Sequence, residues 1–147
     1  MSYVTNSEIQ SRLGTQAYIQ LTDDTGSGSA DVAKVDEARL GAEGEANSYL
    51  ATRYAVPVDL SGEAEVQAVL KSFVLDLVSY RLHSRRPPVP ADIVRRREEA
   101  VTWLSRVASG IVQLPSAMTL AENAALGFMP QSTGSARAMT RESLESL

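Results

Sequence analysis

The sequence contains no cysteine and a single histidine, His83. The first absence removes disulfides, thiolate zinc sites, iron–sulfur clusters and cysteine nucleophiles together. The second removes any site that needs two imidazoles. No apolar run exceeds a few residues, so no membrane-spanning helix is expected. The opening stretch MSYVTNSEIQ lacks both a basic start and an apolar segment, so no signal peptide is expected. No GxSxG, P-loop or GxGxxG pattern occurs. A Ser–His–Asp set would have to use His83, which sits at a helix end beside Arg85 and Arg86, where a partner to the helix dipole is the ordinary role. Acidic residues fall in helix first turns and on polar faces, with no pair set up for acid–base work. The reading is therefore of a non-enzyme that needs no cofactor.

What is present is ordinary for one globular domain. The chain has 147 residues, 44% apolar and 22% charged, enough to build a packed core. Apolar spacing and caps predict four main helices near 6–21 (broken at Gly14), 31–54, 62–84 and 91–109. Thr5 or Asn6 can cap the first, and Gly14 is a natural stop. In the second, Val32, Val35, Ala38, Ala42, Ala46 and Tyr49 make a stripe of small residues beside Gly41 and Gly44, suited to a close helix approach. Ser61 is the expected cap of the third, whose wide face, Val66 to Val78, marks it as the central buried helix. Arg85 to Pro90 breaks it and forms a stiff connector. Gly110 is the expected stop of the fourth. Phe73, Leu77, Tyr49, Leu104 and Val107 are the expected core. The fold class is all-α, a small bundle of about four helices with an extended C-terminal arm.

The helical core is expected over 1–112 and the arm over 113–147. Ile111 to Leu114 alternates like a short strand. The rest of the arm is rich in Ala, Ser, Thr, Met and Gly and lacks the apolar period of a core element. Leu120, Leu126, Phe128 and Met129 are apolar anchors that a groove on another chain could use.

Asp23 to Asp31 looks like a worn calcium loop. With Asp23 at position 1, the bidentate glutamate expected at position 12 is Lys34, which repels the ion. No tight calcium site is expected, and Asp31 serves as a helix cap.

The net charge of −4 is unevenly spread: residues 1–65 hold 4 basic and 11 acidic side chains, whereas 66–110 hold 8 basic and 4 acidic. An acidic whole is unlike a general nucleic-acid binder. Arg85, Arg86, Arg95, Arg96 and Arg97 form the densest basic group, and no aromatic residues interleave with it for base stacking. Unlike halves suit head-to-tail association. Arg95, Arg96 and Arg97 are the candidate basic side of such a contact, and Asp36, Glu37, Glu43 and Glu45 the candidate acidic side. From the residues alone, a cytosolic helical protein-binding or regulatory module is the alternative reading.

Several segments carry a resemblance. Met1-Ser2-Tyr3-Val4-Thr5, Arg12-Leu13-Gly14, Leu21-Thr22-Asp23, the stretch Ser48 to Pro57, Tyr80-Arg81-Leu82, and Trp103-Leu104 through Gly110 to Leu114 resemble the Mu-like phage head–tail joining proteins. The likeness covers about residues 1–114. The loop after Leu21-Thr22-Asp23 is poorer in aspartate than in many members, and the arm is longer. The resemblance implies a structural virion protein: a homo-oligomer, usually a dodecameric ring, under the portal protein. Such a ring extends the DNA channel without sequence-specific contact and presents a surface to the next neck or tail protein. It implies a place at the head–tail junction of the virion, in the host cytoplasm during assembly, with no membrane. It also implies that the C-terminal segment reaches the portal.

Overall fold

A computed structural model describes residues 2–115, 117, 119 and 120. Among them are five helices and no strand: α1 (Asn6–Leu13), α2 (Thr15–Thr22), α3 (Val32–Leu50), α4 (Ala64–Ser84) and α5 (Ala91–Ala108). The fold is all-helical, and the break at Gly14 divides the first predicted helix into two. Gly14 takes φ +81°, a left-handed conformation that side chains resist.

The ends follow from local chemistry. Thr5 caps α1 in a full capping box: its side chain accepts from the Glu8 N–H, and the Glu8 carboxylate accepts from the Thr5 N–H. Asp31 caps α3 by accepting from the Ala33 N–H. Gly110, at φ +81°, closes α5 in a Schellman motif, with Gly110 N–H donating to Val107 and Ile111 N–H to Arg106. Ser61 is not a cap. Its N–H donates to Asp59 within a turn, and α4 begins at Ala64 after Glu63.

Helix α4 is the central element, packed against both α3 and α5, which also meet each other; α1 and α2 close one side against α3 and α4. Its buried face carries Leu70, Val74, Leu77, Val78 and Leu82. Opposite lie Val35, Ala38, Ala42, Ala46 and Leu50 of α3 and Ala100, Leu104 and Val107 of α5. The α3 stripe runs in steps of four from Ala38 and so ends on Leu50, leaving Tyr49 half-buried on its flank and Val32 exposed. Leu77, Leu104 and Val107 lie in the core as expected. Phe73 does not: it is half-buried and stacks on Trp103 at 4.9 Å between ring centres, on the outer seam of α4 and α5. Arg12–Asp76 at 2.6 Å and Lys71–Glu8 at 2.7 Å pin α1 to α4.

The core continues past α5. Leu114 is buried and its N–H donates to the Tyr54 hydroxyl, Ala117 is buried, and the Leu120 N–H donates to the Arg53 carbonyl. Leu114 and Leu120, which fall in the expected arm, are thus held to Tyr54 and Arg53 of the loop after α3. Tyr54 and Thr119 form an isolated antiparallel bridge, and Ile111 to Leu114 is not a strand.

Candidate functional site

The most developed polar feature is a cleft of about 520 Å³ where the N-terminal part of α5 and the C-terminal part of α4 meet α3. At its wall Glu45 bridges two arginines. Arg81 donates to one Glu45 oxygen at 2.8 Å and Arg97 to the other at 3.0 Å. Arg97 also lies over the Tyr80 ring, 4.8 Å from its centre. Gly41, one turn before Glu45, makes this possible, since a β-carbon there would stand 2.8 Å from Arg81 Nη1. Lys34 and Arg85 add two cations and Glu37 one carboxylate. Four cations thus face two carboxylates. Burial leaves Arg81 Nε without a hydrogen-bond partner.

Of the expected basic residues, the cleft gathers Arg97 alone. Arg95 pairs with Glu99 at 2.8 Å and Arg96 lies 3.8 Å from Asp92, both along α5 itself. The expected acidic residues also separate. Glu45 and Glu37 belong to the cleft. Asp36 binds the Asn6 amide and Arg39, which together hold its carboxyl below the usual range, the Asn6 bond first. Glu43 is buried and holds the N-terminal segment: one oxygen accepts from Ser2 Oγ at 2.6 Å, the Tyr3 N–H at 2.9 Å and the Val4 N–H at 3.3 Å. Arg81, met in the sequence only within the Tyr80-Arg81-Leu82 resemblance and not as a site residue, is central here. The one local signal for it was a glycine inside a helix.

The loop between α2 and α3 is stapled from within. Asp23 accepts from the N–H groups of Thr25, Ser27 and Gly28, with Gly28 the shortest at 2.7 Å. These bonds, that to Gly28 foremost, lower its pKa to about 2. Both carboxylate oxygens therefore face donors of the loop itself. Arg85 and Arg86 reach over this loop to Asp24 and to the carbonyls of Leu21 and Asp23, so part of the basic group works inside the chain. His83 Nδ1 lies 2.7 Å from the Ser79 carbonyl, one turn back on α4. Among the described residues no three His, Cys, Asp or Glu side chains are placed to hold a metal ion, and no helix is long and apolar enough to cross a membrane.

Of the arm anchors, Leu120 lies at the edge of the core, 44% exposed. Leu126, Phe128 and Met129 lie outside the described residues. The segment before Leu120 is held near Arg53, whose guanidinium crosses Gly110 so closely that a β-carbon there would overlap it.

No curated protein matches the chain. The family model described as Bacteriophage Mu, Gp36 matches residues 3–129, reaching from the capped N-terminus through all five helices and past the attachments of Leu114 and Leu120, and the chain belongs to that family.

Proposed function

We propose that this protein is a head–tail connector: a structural, non-enzymatic virion protein that forms a ring under the portal, extends the DNA channel and offers a surface to the next neck or tail protein. Membership of a bacteriophage Mu family carries the reading, since it already supports a phage structural or assembly role. The unlike charge at the two ends of α4 and the half-buried aromatic seam suit a subunit that meets neighbours on more than one side. The dodecameric state, the portal contact and the place at the head–tail junction belong to this proposal.

The test is genetic and structural. A nonsense mutation in the gene should yield filled heads and free tails that join when purified protein is added back. Labelled antibody should mark the junction. Infectious particles formed without the protein would overturn the proposal. In the same assay, removal of 121–147 should leave the helical core folded and abolish portal attachment.

A further inference from the structure

The cleft between α3, α4 and α5 has more positive charge than its own residues neutralise. Glu45 is shared by Arg81 and Arg97, so one carboxylate serves two guanidiniums, and Glu37 is the one other carboxylate among the described lining residues; with Arg85 engaged elsewhere, three cations face two carboxylates. Arg85 is engaged by Asp24 on the far side. Lys34 forms no ion pair with any described residue. A carboxylate entering the cleft would find along its lining two guanidiniums that share one carboxylate and a lysine ammonium, donor types that suit an oxyanion.

The chain supplies such a carboxylate at its opposite end. Asp59 and Glu65 flank the start of α4 and are exposed. Asp59 accepts from the Ser61 N–H, which leaves room for a further donor, and Glu65 pairs with no described residue. Ser84 lines the cleft and Glu65 lies on the same helix, nineteen positions earlier. At 1.5 Å per residue they stand about 28 Å apart. The two features cannot meet within one chain and do not overlap on its surface. Two unlike faces at opposite ends of one helix are what a head-to-tail contact requires.

We infer that the acidic start of α4 in one copy of this chain docks in the Arg81–Arg97–Lys34 cleft of the next, with Glu65 as the entering carboxylate. The inference gives residues to the ring proposed above and rests on that reading. The two fail separately, because a ring built on other faces would still join heads to tails.

The cysteine-free sequence makes the test clean. The double variant Ser84→Cys with Ala64→Cys keeps Glu65 in place and cannot close a disulfide within one chain, since the two positions lie at opposite ends of α4 and bridged residues need Cα atoms within about 7 Å. Mild oxidation of the concentrated full-length protein should give a ladder of dimer, trimer and larger species on a non-reducing gel. Each single variant should give no more than a faint dimer. Adding Lys34→Glu to the double variant should reduce the ladder several-fold. Raising salt from about 0.1 M to about 1 M should do the same, as the screening length falls from about 10 Å to about 3 Å. A monomer band alone, or a ladder indifferent to Lys34→Glu and to salt, would overturn the contact. Circular dichroism of each variant confirms the helical fold; Lys34 pairs with no described residue and Ala64 is exposed, so neither change removes a contact the fold needs.

Discussion

Gly41 and Gly44 occupy one helix three residues apart, and the structure gives them opposite consequences. Nothing lies within 4 Å of a β-carbon built on Gly44. Gly44→Ala should therefore gain the full helix preference of alanine, about 0.5–1 kcal/mol. For a domain of this size that is a rise of roughly 2–5 °C in melting temperature. Gly41→Ala gains the same preference but sets a methyl 2.8 Å from Arg81 Nη1 and 3.1 Å from Cζ. The guanidinium must swing away from Glu45, which it meets at 2.8 Å while 40% exposed. Solvent screening limits that ion pair to about 0.5–1 kcal/mol. The two effects nearly cancel, so Gly41→Ala should melt within about 1–2 °C of the parent, the remainder of two opposing terms of known size. Thermal unfolding of both variants, repeated in an Arg81→Gln background, checks the reasoning. With the guanidinium gone, Gly41→Ala should recover most of the gain seen at Gly44. Equal stabilisation by the two alanines in the parent background would refute the claim that Gly41 is a clearance for Arg81. Destabilisation by Gly44→Ala would refute the open surface at that face.

Leu77→Ala should cost about 3–5 kcal/mol in chemical denaturation, because the side chain is fully buried, while Phe73→Ala should cost about 1–3 because only half of the ring is covered. The reverse order would return Phe73 to the core. Glu43→Ala strands the backbone donors of Tyr3 and Val4, a loss of about 2–4 kcal/mol; Glu43→Gln keeps an acceptor oxygen and should recover part of it, as amide exchange at Tyr3 and Val4 would report. The Asp23 carboxyl, held at about 2 in the folded chain against the usual 3.8, favours folding when ionised. Its contribution is complete above pH 4 and is lost as pH falls through about 2. A carboxyl resonance of Asp23 titrating near pH 4 would contradict the loop geometry.

The helices were legible because each rests on signals a few residues long. Thr5 with Glu8, Asp31, Gly14 and Gly110 set the ends through caps and positive φ, and the apolar spacing of α3, α4 and α5 set the faces. Errors arose where two local signals competed. Ser61 has the chemistry of a cap, but Asp59 two residues earlier captures its N–H and moves the start of α4 to Ala64. Phe73 sits on the apolar arc of α4, yet the arc is wider than the groove that α3 and α5 form, and the largest ring is left on the rim beside Trp103. The cleft was least legible. Glu45 meets Arg81 and Arg97 across 36 and 52 positions of sequence, and no periodicity reports such a meeting.

The charge pattern shows why a sequence tally and a surface differ. An acidic first half and a basic second half predict two faces that attract, and a reader of the chain assigns the attraction to neighbouring subunits. Folding spends much of it first. Helix α3 belongs to the acidic half and α4 and α5 to the basic half, and the core brings them side by side. Glu45 then neutralises Arg81 and Arg97, Asp24 meets Arg85 and Arg86, and Glu8 meets Lys71 within the chain. Exposed pairs of this kind add little stability, but they decide which charges are left for a partner. What remains is the residue of the subtraction: a surplus of cations in one cleft and uncommitted carboxylates at the far end of the same helix. A partner would meet that remainder rather than the composition of either half. In the contact inferred above, Arg95 and Arg96, each beside a carboxylate of α5, should contribute less than Lys34 and Glu65, which are inconspicuous in the sequence.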